Sequence, residues 1–288
     1  MMKAGKQIIT ALCLSAAAFS QTQTGEVTLR RQLKENAVER YKFEMTSSQM
    51  VDMGGGQMPV DMSSAAEYQL KTLTIDQQKK EGKIELKVSN LKFEFGGMGG
   101  MMPDLPKEIA MNGTMDERNR IKLEPPKGQN GGAALGMMSM MSNGLGDATA
   151  GFGIEFPEKG LKIGDSWDVP LPKTPFIGDV QAKLVGKLIG TKKVGSEDAF
   201  EISVTGAFPV KVDGKAVASM MGSDAGAAGE VPDITGTVDL SGTVFVSQKT
   251  GATLEMRCKI KSTNKFTMAS QGTTFNTTGT TTISLIRQ

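Results

Sequence analysis

From Phe200 onward the even positions read Phe200, Ile202, Val204, Gly206, Phe208, Val210 and Val212, while Glu201, Ser203, Thr205 and Lys211 stand between them. A period of two puts successive side chains on opposite faces, so this run predicts a strand with one greasy face and one wet face. The pattern returns from Ala252: Leu254, Met256, Cys258, Ile260, Phe266 and Met268 share one parity, and Glu255, Arg257, Lys259, Lys261 and Lys265 share the other. Similar alternations start at Val27, Tyr41, Val180, Val238 and Phe275. Between Ile84-Leu86-Val88 and Leu91-Phe93-Phe95 the apolar parity flips. One inserted residue exchanges the two faces of a strand, so a β-bulge is expected near Ser89-Asn90. Asp213-Gly214, Lys249-Thr250-Gly251 and Gln271-Gly272 each supply a glycine for positive φ and predict hairpin turns. Parallel pairing would need crossover helices, which the pattern does not show, so the expected fold is mainly β with long antiparallel strands.

Two glycine-rich stretches interrupt the rhythm: residues 96–102 read GGMGGMM, and residues 131–151 read GGAALGMMSMMSNGLGDATAG. In the second, Leu135, Met138, Met141 and Leu145 are spaced three, three and four apart, compatible with one short amphipathic helix. Each glycine opposes that helix by about 1 kcal/mol relative to alanine. The stretch divides residues 21–288, which read as a single β-rich domain or as two β-rich halves. Those halves are 26–125 and 153–288, joined by the Gly/Met-rich segment 126–152.

The N-terminus has a different character. Lys3 and Lys6 precede an apolar run from Ile8 to Ala18, and Ala18-Phe19-Ser20 has a small-x-small pattern, which predicts a signal peptide over residues 1–20 cleaved before Gln21. That run is too short to cross about 30 Å of hydrocarbon at 1.5 Å per residue, and no transmembrane helix is expected after cleavage. Leu12 precedes Cys13, where a lipoprotein signal wants a small side chain.

Charge follows the leader. The chain has 33 Lys and Arg against 31 Asp and Glu, and loss of Lys3 and Lys6 would leave equal numbers. No basic stripe is present, so a nucleic-acid partner is excluded. The chain has no histidine, which removes Ser-His-Asp and Cys-His nucleophiles and His-ligated metal sites. With Cys13 in the leader, Cys258 stands alone and no intrachain disulfide is expected. Its parity puts it on the apolar face, where a thiol is inert and its pKa raised.

The 20 methionines are the least ordinary feature. Met137-Met138-Ser139-Met140-Met141, with Met98, Met101 and Met102, offers thioethers that suit Cu(I). The same side chains serve as adaptable apolar surface, and without His or a nearby Cys that reading is the stronger; no cofactor is expected. The carboxylate pairs Asp116-Glu117, Glu197-Asp198 and Asp165 with Asp168 have no spacing that identifies a reaction, and no phosphate-binding GxxxxGK[ST] occurs. Trp167 opens a strand after a Gly164-Asp165 turn, where it anchors the turn or stacks on a ligand.

Glu26-Val27-Thr28-Leu29, the strand from Tyr41, the Phe156-Pro157-Glu158-Lys159 to Gly164-Asp165-Ser166-Trp167 segment and the Lys249-Thr250-Gly251 hairpin resemble an uncharacterised family of secreted bacterial β-rich proteins. More distantly the layout is similar to periplasmic lipoprotein carriers and lipid-binding lipoproteins. That resemblance implies a strongly curved sheet or half-barrel with at most one or two short helices around a greasy cavity. It implies no catalytic residue.

The expected function is a non-enzymatic exported envelope protein, periplasmic or extracellular in a bacterium, binding a lipid, a lipidated protein or another apolar ligand. Met137, Met138, Met140, Met141 and Leu145 are the candidates to cover a cavity mouth, and Trp167 to line it. The alternatives are a structural or adhesive envelope module without a small ligand, and a Met-rich Cu(I) binder.

Overall fold

The computed structural model describes residues 25–52, 54–96, 107–124, 154–171, 183–214, 232–268 and 272–288. The expected signal peptide and the expected helix near 135–145 lie outside them. Among the described residues the fold is all strand: β1 (Val38–Asp52), β2 (Gln57–Asp76), β3 (Glu81–Phe95), β4 (Glu108–Asp116), β5 (Ile121–Leu123), β6 (Ser166–Pro170), β7 (Lys183–Val194), β8 (Glu197–Val212), β9 (Asp233–Ser247), β10 (Thr253–Met268) and β11 (Thr273–Arg287).

All eleven form one antiparallel sheet in the order β5-β4-β3-β2-β1-β11-β10-β9-β8-β7-β6. Each half of the chain is a meander, and the two meanders meet where β1 pairs with β11, Tyr41 opposite Arg287 and Asp52 opposite Asn276. The sheet is not closed, since β5 and β6 are its two edges. Both edges are short, at 3 and 5 residues, and β6 stops at Pro170. Short edges and a terminal proline limit the unpaired backbone that a second chain could extend.

The period of two translates directly into burial. On β10 Met256, Cys258 and Ile260 are buried while Arg257, Lys259 and Lys261 are exposed. Buried side chains from ten of the strands join one apolar cluster, Val169 of β6 among them, and Ile121 and Leu123 of β5 and Trp167 of β6 pack against it from the edges. The expected bulge is present: Ala65 pairs with Lys92 but Glu67 with Ser89, and Asn90 takes φ +53°. Gly251 and Gly272 adopt positive φ in the β9–β10 and β10–β11 turns, as expected. Asp213-Gly214 is a correction. It is not a tight hairpin, because Val212 pairs with Ile234 and residues 213–232 separate β8 from β9. Gly214 N–H instead donates to Asp233 Oδ1 at 2.8 Å, which ties the dipeptide to the start of β9.

Curvature follows from two adjacent hydrogen bonds. Arg31 N–H donates to Glu117 O just beyond β4 at 2.7 Å, and Gln32 N–H donates to Thr250 O in the β9–β10 turn at 2.8 Å. In a flat sheet β4 and β10 would be about 24 Å apart, at about 4.8 Å per strand. Neighbouring residues lie only about 3.8 Å apart, so the two strand ends must bend toward each other. The sheet is a half-barrel tied at one end by residues 25–37. A second segment, 154–163, joins the tie: Val27 and Leu161 exchange hydrogen bonds, and Phe156 N–H donates to Arg118 O. Leu29, Ile154, Phe156 and Leu161 from these segments enter the core cluster and fill that end.

Candidate functional site

The side chains that point to the inner face form rows across the strands. From the Phe43–Leu285–Met256–Val244–Ile202 row onward, no described inner-face position carries a charged side chain. Most are aliphatic, and Leu240, Val238, Phe208, Val210 and Val212 are buried well toward the untied end. At that end Phe266 and Phe275 stack across β10 and β11 with centroids 4.7 Å apart. All buried core residues outside the strands belong to the tied end, among the described residues.

Among the described residues a group of buried polar side chains interrupts this face. Ser47 and Thr281 are register partners on β1 and β11, both buried, with hydroxyl oxygens 2.9 Å apart. Gln49 Nε2 donates to Ser47 Oγ at 3.3 Å. Gln49 also lies across Gly279, where an added Cβ would sit 2.6 Å from Gln49 Cγ. Ser262 and Asn264 of β10 and Thr277 of β11 continue the track toward the untied end, and all three are buried. The uniform strand pattern concealed this group, because Ser, Thr and Asn at inward parity look like tolerated exceptions until the register brings them side by side.

At the tied end a charged group is buried instead. Arg31 is 4% exposed, and its guanidinium donates to the Glu39 carboxylate, which also accepts from the Tyr41 hydroxyl. Burial opposes the charge on Arg31, and Glu39 and Tyr41 outweigh it and hold the guanidinium protonated above its ordinary value. Burial, followed by the Glu39 charge, raises the Tyr41 phenol well above its usual range. This cluster fastens residue 31 to β1 and has the character of a structural lock.

The sequence-derived site residues divide in two. Met137, Met138, Met140, Met141 and Leu145 lie outside the described residues. Trp167 is half-buried at the start of β6, its ring laid over Gly186 so closely that a Cβ there would be 2.7 Å from Cε2. Its Nε1 donates to Glu155 O at 2.9 Å. Those contacts hold the 154–163 segment against the edge of the sheet, as an anchor does.

Cys258 is buried in the apolar face as its parity indicated, and burial pushes its thiol up from 9.0 to about 11. A thiol reagent at pH 8 is expected to label it at under one-hundredth of the rate seen in guanidinium. The linkage has a definite sign: with the folded pKa raised, the thiol's stabilisation is complete below pH 9 and is lost as pH rises through about 11. Denaturation midpoints measured across that window should fall more steeply in the natural protein than in Cys258→Ala.

Among the described residues the outer face has an open trough of about 640 Å³, bordered by Thr46, Ser48, Ser63, Thr280 and Thr282 with the acids Asp61 and Glu94. Ser63 Oγ donates to Glu94 at 3.2 Å. Its lining is hydroxyl-rich and wide open, unlike the inner face.

No protein-family model matches the chain, and no curated protein sequence matches it. In structure it is similar to lipovitellin, from a study of lipid–protein interactions, at 11% identity and a TM-score of 0.46, over 89% of this chain. The chain spans only 25% of the length of that protein. It is similar to a DUF1329 family protein from Desulfovibrio piger at 9% identity and a TM-score of 0.15, covering 83% of each chain. It is also similar to a Bacteroides fragilis protein of YmcC-like fold, itself only inferred to be exported. There the identity is 5% and the TM-score 0.17, over 88% of this chain and 97% of the other.

Proposed function

We propose that this is a non-enzymatic, exported envelope protein that holds a lipid or another apolar ligand against the concave face of its sheet. The observation that carries this reading is the pairing of an apolar inner face that runs across the sheet with an unclosed half-barrel whose described plug fills one end only. Apolar concave surface with a few placed polar groups is the general form of a small-molecule site. Burying a ligand there stabilises the complex by roughly 25 cal/mol for each Å² of apolar area removed from water. Export rests on the N-terminal basic, apolar and small-residue pattern of residues 1–20.

The test is native mass spectrometry of protein exported from a bacterial host, followed by organic extraction and titration with Nile red. A retained lipid, or saturable dye binding at one site per chain, is the expected result. An unliganded mass that persists after incubation with mixed lipids, together with no dye binding, would end the reading. Concentration-dependent association in sedimentation would then favour a structural module whose greasy face meets a partner.

A further inference from the structure

We propose that the buried polar track on the inner face is the recognition site for an uncharged ester or amide group at the head of an alkyl chain. The inference rests on the reading of the concave face as a ligand site, and it names the ligand chemistry that face would select.

The track is set by register. Ser64 on β2 lies diagonal to Ser47 on β1, since Met62 is the direct partner of Ser47. Ser47 faces Thr281, Gly279 of β11 faces both Gln49 and Ser262, and Thr277 of β11 faces Asn264. The polar groups thus step from β2 across β1 and β11 to β10, with strands about 4.8 Å apart and same-face residues about 7 Å apart along each strand. Glycine at 279 leaves the middle of the track without a side chain of its own, and Gln49 lies across it.

Two features point to a ligand rather than to packing alone. Thr277 Oγ1, opposite Asn264 at one end of the track, is buried and has no hydrogen-bond partner, and Ser64 Oγ at the other end, too far along the sheet to meet the same headgroup, is a second such hydroxyl. Ser64 is 5% and Thr277 4% exposed. A buried hydroxyl left unmatched is destabilising, whereas valine or alanine at the same position would fit a strand core, so these hydroxyls oppose the apolar pattern around them. The second feature is the kind of polarity. Hydroxyl and amide groups donate to a carbonyl and accept from an N–H or O–H, but they do not neutralise charge. With no charged side chain on the described inner face beyond the tied end, an ionised carboxylate or phosphate buried there would stand unpaired. An ester or amide meets hydrogen-bond partners without that penalty, while its chain lies on the aliphatic rows of β8, β9 and β10.

The test compares three ligands of one chain length by displacement of Nile red from the full exported chain. They are 1-monodecanoylglycerol, N-decanoylethanolamine and decanoate at pH 8. Either or both neutral ligands are expected to bind at least about tenfold more tightly than decanoate, and their order tells an ester-bearing from an amide-bearing natural ligand. Thr277→Val keeps the side-chain shape and removes the hydroxyl. It should weaken the preferred neutral ligand about fivefold relative to decanoate and raise the Tm of the ligand-free protein. A merely structural Thr277 would not combine higher stability with a ligand-specific loss. If decanoate binds as tightly as both neutral ligands, or Thr277→Val leaves all affinities unchanged, the inference is overturned while the concave-site reading stands. If Nile red itself fails to bind, that reading falls, and the inference falls with it.

Discussion

Glu39→Ala is expected to destabilise the protein by about 3–5 kcal/mol, the usual consequence of leaving one member of a buried ion pair without its counter-charge. Arg31 is almost completely enclosed, its side chain 2% exposed against 16% for Glu39, so water cannot readily take the place of the carboxylate. The Tyr41 hydroxyl would lose the same acceptor. The effect should reach beyond the pair, because the Arg31 backbone also donates to Glu117 O and the next residue to Thr250 O, the two bonds that draw β4 and β10 together. The check is urea unfolding followed by far-ultraviolet circular dichroism, with a lowered midpoint and an unchanged slope. The double variant Arg31→Met with Glu39→Leu should recover most of the loss, since an apolar replacement of a buried pair is often neutral or stabilising. A single variant costing under about 1 kcal/mol, or a double variant no better than the single, would show that the pair does not lock the N-terminal segment.

Gly251→Ala is the second large effect, and Gly272→Ala is its matched control. Both glycines hold left-handed backbone, at φ +67° and +60°, in turns flanking β10. That conformation alone costs a residue with a Cβ about 1–2 kcal/mol. At Gly272 the added Cβ would meet nothing within 4 Å, so the control should lose only that amount. At Gly251 it would lie 2.1 Å from Arg30 O and 2.7 Å from Arg30 C, which are backbone atoms of the segment crossing the tied end. Relieving that overlap means pushing the segment off the turn, at a further cost of about 1–3 kcal/mol for overpacking. The expected result is a stability loss at least twice that of the control, with increased proteolysis near residue 30. Equal losses in the two variants would mean that the N-terminal segment yields without resistance.

Those two sites mark where local pattern stops being informative. The turn glycines, the strand faces, the Asn90 bulge and the burial of Cys258 were legible because each depends on a period of two or on one residue's φ. Asp213-Gly214 misled because such a dipeptide reports local turn chemistry and not the length of the connection around it. Trp167 was recognisable as an anchor, but its seat on Gly186 required knowing that β6 pairs with β7. The polar track was invisible for a related reason. Ser47 and Thr281 are 234 residues apart, and nothing in either strand's alternation names the other as its partner.

By itself the sequence determined that the chain would be antiparallel strands with one apolar face, because side-chain parity is a local geometric property that each run carries independently. Tertiary structure decided that β1 and β11 meet, that an N-terminal segment bends the sheet into a half-barrel, and that seven inward polar residues become one surface. Those outcomes depend on pairings between distant strands, and a hydrogen-bond ladder will join any two edges; which edges meet is settled only when the whole apolar face is buried at once.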